Sequence, residues 1–165
     1  MQDPSQSLLE RASLYAASRS IQLKQQLGFG KDGSVYSTSK ATAVKVFRLQ
    51  EMFSREWACY ARLSELGIFE ILGHWVPQLR GADDRLLVIE MSIVERPFLL
   101  DFASAYLDDP PDFPPDVIQQ WEESKQEEFG PHWPRVVTLL ELLKQDFGIY
   151  LLDVHPGNIA FVEPE

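Results

Sequence analysis

The spacing of apolar positions changes along the chain and divides it into helical and strand-like parts. Residues 5–18 repeat apolar side chains at helical spacing and predict a short helix. The next stretch, "IQLKQQLGFGKDGSVYSTSKATAVKVF", contains strand-like runs separated by glycine and Asp-Gly. It predicts strands over 21–27, 34–38 and 42–47, with turns between them.

Helical and extended patterns continue through the rest of the chain. Apolar side chains recur at helical spacing over 49–66, and residues 75–91 predict two strands around an Ala-Asp-Asp turn. Three helical segments and a short closing strand are then predicted, at 97–107, 117–129, 134–147 and 158–162. A sheet-rich half followed by a helical half predicts an α+β fold.

The charge is strongly acidic and unevenly distributed. The 165 residues carry 15 Lys and Arg against 25 Asp and Glu, a net charge of −10. This disfavours nucleic acid as a partner, because phosphate backbones attract basic faces. From 101 to 130 there are nine acidic residues and one basic residue, Lys125. The acidic, Pro-rich stretch at about 108–130 is interpreted as a solvated insertion, or alternatively as a docking surface for a basic partner.

The expected compartment is cytoplasmic. The chain has a single cysteine, Cys59, so it forms no internal disulfide, which fits a reducing environment. Its first residues lack the basic start and apolar stretch of a signal peptide. No apolar run approaches the ~18 residues of a membrane span, so no membrane partner is expected.

The first candidate for chemistry is the glycine motif in "LGFGKDGSVY". Gly28, Gly30 and Gly33 form G-x-G-x-x-G, and glycines let backbone N–H groups approach phosphate oxygens. Ser34 stands where a P-loop requires lysine, and the strand-like residues after Gly33 exclude a dinucleotide loop, which would open a helix. A glycine hairpin between two strands remains, either as a plain turn or as a phosphate-binding loop.

A lysine within an apolar strand is the second candidate. Lys45 in "AVKVF" requires a partner if it is buried, and phosphate oxygens or a carboxylate would provide one. Glu56, near the edge of the apolar face of the following helix, is the expected carboxylate, and Glu51 is its rival. Trp57 and Tyr60 of that helix are expected to face the core. The alternative is that Lys45 lies on an edge strand in solvent.

The third candidate is the loop in "LLDVHPGNIAF". Asp153 and Asn158 form D-x-x-x-x-N between a helix and a strand. A carboxylate can orient or deprotonate a hydroxyl nucleophile, and an amide oxygen can bind a hard cation such as Mg²⁺. His155 is interpreted as a hydrogen-bonding residue of the loop, because no second His or Cys lies nearby to form a metal site with it.

The order of these motifs resembles the protein-kinase-like superfamily. A glycine loop, a strand lysine, a helix glutamate, a hinge and a D-x-x-x-x-N loop follow one another along nearly the whole chain. The sequence "DVHPGNI" is closer to the atypical and small-molecule kinases than to ordinary protein kinases. The resemblance implies an N-terminal extension at 1–20, a nucleotide-binding N-lobe with an antiparallel sheet and one main helix at 21–93, and a partial, mostly helical C-lobe at 94–165.

The resemblance also implies a role for the glycine motif and the strand lysine. Gly28, Gly30 and Gly33 would cover the phosphates of ATP. Lys45 would contact these phosphates and pair with Glu56.

Further roles are implied for the loop and the hinge. Asp153 would be the catalytic aspartate and Asn158 a Mg²⁺ ligand. The backbone of Glu90 and Ser92 would bracket the adenine at the hinge. The adenine pocket would be lined by Val35, Ala43 and Met91.

One tripeptide matches a kinase motif in the wrong place. Asp146-Phe147-Gly148 spells the metal-binding motif but stands before the D-x-x-x-x-N loop rather than after it. In "GIYLLD", Gly148 has the register of the helix end that precedes a catalytic loop. The tripeptide is therefore interpreted as a decoy, with Phe147 in the core and Asp146 at the surface. No Asp follows Asn158 in this sequence, so the metal-binding aspartate of the family is missing.

Two classes of function follow from the resemblance. The first is a phosphotransferase that moves the γ-phosphate of ATP to a hydroxyl acceptor whose class the sequence does not identify. The second is a catalytically inactive pseudokinase that binds a nucleotide or a protein partner, which the missing aspartate favours. The chain is alternatively a fragment of a longer kinase. A shortened second lobe would also favour dimerisation, which would cover its open side.

Overall fold

The computed structural model describes residues 7–102 and 104–162. In chain order its elements are α1 (Leu8–Ser18), β1 (Leu23–Phe29), β2 (Gly33–Thr38), β3 (Thr42–Phe47), α2 (Gln50–Glu65), β4 (Glu70–Ile71), β5 (His74–Trp75), β6 (Leu79–Asp83), β7 (Val88–Ser92), β8 (Phe98–Leu99), β9 (Tyr106–Leu107), α3 (Pro115–Phe129), α4 (Trp133–Phe147), β10 (Ile149–Tyr150) and β11 (Ile159–Ala160). This is a mixed fold in which helices pack on an antiparallel sheet, as the sequence pattern predicts.

The first half is built on a five-stranded antiparallel sheet in the order β1-β2-β3-β7-β6. All five strands are predicted by the sequence, with small shifts at their ends. Side chains alternate between the two faces, so Ala43 and Phe47 of β3 join one core cluster while Val44 and Val46 join the other. Lys45 therefore lies on the face of Ala43 and Phe47.

The helix α1 covers the sheet face opposite Lys45. Ser7 caps this helix reciprocally: its hydroxyl accepts from the Glu10 N–H, and the Glu10 carboxylate accepts from the Ser7 N–H. Arg11 is buried and donates hydrogen bonds to two backbone carbonyls at 2.8 Å. The buried apolar residues of this helix are Ala12, Tyr15 and Ala16.

The helix α2 covers the other face of the sheet. Its buried residues recur at helical spacing and include Phe53, Glu56, Tyr60 and Leu63. The expectation that Trp57 faces the core is wrong, because its side chain is 42% exposed. One residue along a helix rotates the side chain by about 100°, so Trp57 points away from the face that buries Glu56.

The single cysteine lies inside this half of the core. Cys59 is fully buried on α2, and burial raises the pKa of its thiol to about 12. The thiol is therefore protonated and shielded from reagents at neutral pH.

The prediction of a helix at 97–107 is wrong. This segment contains β8, which pairs with β5 and β11, and β9, which pairs with β10. Leu99, Phe102 and Ala105 are buried there, so packing against several neighbours overrides the local helical spacing. The hairpin of β4 and β5 is not predicted either, because two-residue strands carry almost no periodic signal.

The second half is completed by α3 and α4, both predicted from the sequence. Trp121 of α3 and Phe129 pack on Trp133 of α4 through aromatic contacts. The helix α4 ends at Gly148, whose left-handed backbone (φ 65°) directs its N–H back to the carbonyls of the last turn. The Asp146-Phe147-Gly148 tripeptide is therefore a helix end, as predicted. Within the described ranges, no helix is both long enough and apolar enough to cross a membrane.

Candidate functional site

The glycine motif forms the turn between β1 and β2. The Gly30 N–H donates to the Gly33 carbonyl at 3.0 Å and closes the hairpin. A Cβ added at Gly33 would lie 1.9 Å from the carbonyl oxygen of Val46 on β3, whereas one added at Gly28 or Gly30 would meet nothing within 4 Å. Packing therefore requires glycine at position 33, and open space lies beside the other two glycines.

Lys45 lies in a buried ion pair beneath α2. Its Nζ is 2.7 Å from the Glu56 carboxylate, and the two side chains are 9% and 1% exposed. The same Nζ donates to the Asp101 carboxylate at 3.1 Å. Glu51, the rival glutamate, instead pairs with Arg55 on the surface of α2. Lys45 is thus not a solvent-exposed strand lysine, and Glu56 is its helix partner.

Burial and charge act in opposite directions on this pair. Burial lowers the pKa of Lys45, but the carboxylates of Glu56 and Asp101 outweigh that effect and hold the pKa above its ordinary value. Burial raises the pKa of Glu56 to about 7, against the attraction of Lys45. Lys45 is therefore charged at neutral pH, and Glu56 is the member of the pair that protonates more readily than usual.

One aspartate that the sequence analysis does not select contacts Lys45, and the charge of another acts on Glu56. Asp101 follows β8, has a left-handed backbone (φ 69°), and hydrogen-bonds through its backbone to the buried Tyr60. Asp32 belongs to the glycine turn, and its charge acts on Glu56. Because 97–107 is predicted as a helix, the sequence analysis does not place Asp101 next to Lys45.

Three predicted apolar residues share the sheet face of Lys45. Val35 on β2 is the cross-strand neighbour of Lys45, and Ala43 on β3 is the neighbour of Met91 on β7. Ala43 and Met91 are buried, and Val35 is partly buried against the same core. Together they form a continuous apolar surface beside the ion pair.

The side chains of Glu90 and Ser92 do not share that face. The Glu90 carboxylate lies on the α1 side and accepts hydrogen bonds at 3.0, 2.8 and 3.4 Å from Tyr15, Thr42 and Arg19. The Ser92 N–H donates to the Gln78 carbonyl at 2.9 Å, and the Ser92 hydroxyl accepts from the Gln78 N–H at 2.8 Å. The predicted role of these two residues is a backbone role, and it stays a prediction.

Asp153 and Asn158 are joined across the loop that precedes β11. Asn158, 4% exposed, donates from Nδ2 to the Asp153 backbone carbonyl at 3.0 Å and to the Asp153 carboxylate at 3.2 Å. The Asp153 side chain is 38% exposed, and His155 Nε2 lies 3.7 Å from it. His155 Nδ1 accepts from the Gly157 N–H at 3.0 Å, which is the loop role expected for this histidine.

The loop and the ion pair are connected through the segment after β8. The Leu100 N–H donates to the Asn158 carbonyl at 2.9 Å. The next residue, Asp101, bonds Lys45. One short segment therefore links the candidate catalytic loop to the buried lysine.

The oxygen donors of this region suit Mg²⁺ without forming a complete cage. Within residues 7–102 and 104–162, no group of three or more His, Cys, Asp or Glu side chains could hold a metal by itself. Mg²⁺ commonly keeps several waters and is bound through one or two carboxylates plus substrate phosphates. The amide oxygen of Asn158 is a donor of the kind that this mode uses, and so is the Asp101 carboxylate.

An apolar groove lies beside the residues that lead into the loop. It is a groove of about 570 Å³ between α3, α4 and residues 149–152, directly before Asp153. Its lining is mostly apolar, with Ile118 and Trp121 of α3 and Leu140 of α4. Ile118 is 44% exposed. This groove can accept an apolar group from outside the chain.

Comparisons with known proteins give a weak structural likeness. No protein-family model matches the sequence, and no curated protein matches it. A solved structure that resembles part of the fold is the streptomycin–ATP–APH(2")-IIa ternary complex, an aminoglycoside phosphotransferase. It is 20% identical, with a TM-score of 0.41. The match covers 52% of this chain and 28% of that chain.

Proposed function

We propose that this protein binds ATP as its magnesium complex and transfers the γ-phosphate to a hydroxyl acceptor. The observation that supports this most is the buried Lys45–Glu56 pair beside an open glycine turn. A buried ion pair gives a fold little net stability, so stability alone is a poor reason for its presence. An ammonium held beside a glycine turn is suited to binding phosphate oxygens.

The proposal gives the N-terminal half the task of binding the nucleotide. The backbone at Gly28, Gly30 and Gly33 covers the phosphates, and Lys45 binds them while Glu56 holds the ammonium in place. The adenine packs on the apolar surface formed by Val35, Ala43 and Met91, next to the backbone of Glu90 and Ser92.

The loop before β11 promotes the transfer of the γ-phosphate. The Asp153 carboxylate accepts the proton of the acceptor hydroxyl as a bond forms between that oxygen and the γ-phosphorus, while the bond from phosphorus to the ADP oxygen breaks. Asn158 holds Asp153 through its side-chain amide and would contribute its amide oxygen to Mg²⁺. When bound, this cation neutralises charge on the phosphates.

Nucleotide binding and catalysis can be tested separately. In thermal unfolding, ATP at about 100 times its dissociation constant should stabilise the protein by roughly 2.7 kcal/mol in the presence of Mg²⁺. Asp153→Asn should keep this stabilisation but lower phosphotransfer, followed as ADP release with sugar, amino-alcohol and Ser/Thr-peptide acceptors, by at least about 100-fold. If phosphotransfer survives in Asp153→Asn, Asp153 is not the catalytic residue. If ATP does not stabilise the wild type, the proposed function is wrong.

The apolar groove supports a second proposal, a catalytically inactive module that binds a protein partner. The occupant we propose is a peptide segment with Lys or Arg around one or two large apolar side chains. The groove is lined partly by the stretch 108–130, which contains eight acidic residues and one Lys, so a basic segment is complementary in charge. A second copy of this chain, with a net charge of −10, meets charge repulsion. The dimerisation expected from the sequence stays a prediction, which light scattering tests.

Ile118 allows a direct test of this partner. A synthetic amphipathic helix of Leu and Lys should bind the protein, and Ile118→Ser should weaken its binding about tenfold, because a buried apolar contact is lost. Val137→Ser is the matched control, since Val137 is 39% exposed on α4 and does not line the groove. Equal binding by Ile118→Ser, or by a Lys-Ser peptide of the same charge, would rule out the groove as the docking site.

A further inference from the structure

A small cavity lies between the hairpin of β4 and β5, the end of β11 and the start of α4. Its volume is about 120 Å³, which is room for about four water molecules. The lining is mostly apolar and includes Leu72, Pro97, Phe161 and Val162. None of these residues belongs to the proposed nucleotide site or to the apolar groove, so the cavity has no task in either proposal.

His74 is a buried polar residue on the wall of this cavity. It is 3% exposed, and its Nδ1 lies 3.2 Å from the Leu72 carbonyl oxygen. Because a carbonyl oxygen only accepts, Nδ1 carries the proton of the neutral ring. The other ring nitrogen, Nε2, is buried, and no atom of the described residues forms a hydrogen bond with it. A buried polar atom without a hydrogen bond costs free energy, so a ligand that supplies this bond gains affinity.

Arg135 brings a positive charge to the same cavity. Its guanidinium lies 5.4 Å from the centroid of the Phe161 ring, and its charge acts on His74. His132 stacks on the Phe161 ring at 4.2 Å, and His74 meets the edge of that ring at 5.0 Å. Among residues 7–102 and 104–162, Arg135 forms no ion pair with a carboxylate. Its charge is therefore available to an anion.

We propose that this cavity binds a small carboxylate with a short apolar chain. The guanidinium of Arg135 donates to the carboxylate, and one proton is held between the carboxylate and His74 Nε2. The apolar chain packs on Leu72, Pro97 and Val162. A net charge of −10 repels anions in general, so binding of a carboxylate requires a local site of this kind. The site does not depend on the proposed nucleotide-binding function.

The lining favours a carboxylate over other small ligands. A phosphate presents polar oxygens on every side, and apolar walls would leave most of them without a partner. A neutral amide gains less from Arg135, because hydrogen bonds between two charged groups are the stronger ones. A short carboxylate has one polar end and one apolar end, which matches a cavity with a few polar groups in apolar walls.

The proton gives binding a pH dependence of defined sign. Burial lowers the pKa of His74, and the charge of Arg135 lowers it further, against the hydrogen bonds to the backbone of Leu72 and Ile71. The ring is therefore neutral at about pH 7 without a ligand. A carboxylate beside Nε2 favours the protonated ring, so binding takes up a proton and weakens as the pH rises. His132 is the other titratable residue at the cavity, so the two rings have to be observed separately.

Nuclear magnetic resonance of the protein labelled with ¹⁵N-histidine observes each ring during a titration with butyrate. The chain has three histidines. The signals of His74 and His132 should shift, and the signal of His155, in the D-x-x-x-x-N loop, is the internal control. His74 should carry a proton on Nδ1 alone in the free protein and on both nitrogens at saturation. The dissociation constant should be about 1 mM or tighter at about pH 6, and at least about tenfold weaker at about pH 8.

Two variants test the two polar groups. Arg135→Gln changes an exposed residue, so the fold is kept, and it should weaken butyrate binding about tenfold. Arg85→Gln removes the same charge at an exposed position in the turn after β6 and should bind butyrate as the wild type does. His74→Phe keeps an aromatic ring but lacks Nε2, so its butyrate affinity should be the same at about pH 6 and about pH 8. If His74→Phe does not fold, Arg135→Gln still tests the inference.

Several outcomes would overturn the inference. It is wrong if butyrate well above 1 mM leaves the His74 signal unchanged, or if Arg135→Gln binds butyrate as tightly as Arg85→Gln. It is also wrong if butyramide or inorganic phosphate binds as tightly as butyrate. Because no nucleotide is present in these titrations, their failure leaves the proposed phosphotransferase function untouched, and the failure of that function leaves this site untouched.

Discussion

Replacing Lys45 by methionine is expected to lower the free energy of unfolding by about 3–5 kcal/mol, because it removes one partner of a buried ion pair. Glu56 is 1% exposed and would keep its burial without the ammonium at 2.7 Å. Asp101 would lose the same partner. Urea denaturation at neutral pH measures the effect directly.

Two further variants show whether this loss comes from the pair. Lys24→Met, at an exposed position on β1, should change the free energy of unfolding by less than about 0.5 kcal/mol. The Lys45→Met/Glu56→Gln double variant should be more stable at neutral pH than Lys45→Met alone, because the uncompensated charge of Glu56 is gone. If Lys45→Met unfolds at the same urea concentration as Lys24→Met, the pair contributes nothing to stability.

The pH dependence of the Lys45→Met variant has a defined sign. With Lys45 present, the pKa of Glu56 is about 7, above its ordinary 4.5, and the loss of Lys45 raises it further. Above the ordinary pKa and up to the folded-state pKa, the folded state binds a proton that the unfolded state does not, so stability falls as pH rises. Lys45→Met should therefore be more stable at about pH 5 than at about pH 8, relative to Lys45→Met/Glu56→Gln.

The parts of the fold that the sequence predicts are those with long periodic signals. The strands around Gly33 and Lys45 and the helices α2 and α4 extend over several periods, and their apolar faces agree with what the sheet and the core require. The segment 97–107 also has helical spacing, yet it forms short strands and loops. Its buried residues, among them Leu99 and Phe102, are paired and packed by segments distant in the sequence, which local spacing cannot reveal.

The same distinction applies to the candidate site. The Lys45–Glu56 contact could be predicted, because an ionisable residue within an apolar strand calls for a partner and the next helix offers one. The Lys45–Asp101 contact could not, because Asp101 lies in a short segment whose backbone sets the direction of its side chain. The Glu90 side chain turns toward α1, and the backbone role predicted for this residue stays a prediction.

Replacing Gly33 by alanine is expected to destabilise the protein by about 3 kcal/mol or more, since both strain and overlap result. The backbone at Gly33 has φ 154°, which side chains rarely adopt, and the added Cβ would lie 1.9 Å from the Val46 carbonyl oxygen. That oxygen belongs to the backbone of β3, paired with β2 from Gly33 onward, so it cannot move without disturbing the ladder. Thermal unfolding of Gly33→Ala should show a lower midpoint than that of the wild type.

Gly28→Ala and Gly30→Ala are the matched controls for this prediction. A Cβ at either position meets nothing within 4 Å, so the free energy of unfolding of both variants should lie within about 1 kcal/mol of the wild-type value. The reduced conformational freedom of the unfolded chain stabilises both variants slightly. The three glycines are equivalent in the sequence motif, and only the structure distinguishes them. If Gly33→Ala has the same midpoint of thermal unfolding as the two controls, β2 does not approach β3 at this turn as closely as the structure shows. If the controls fold normally but lose stabilisation by ATP and Mg²⁺, the open space beside the turn is where the phosphates bind.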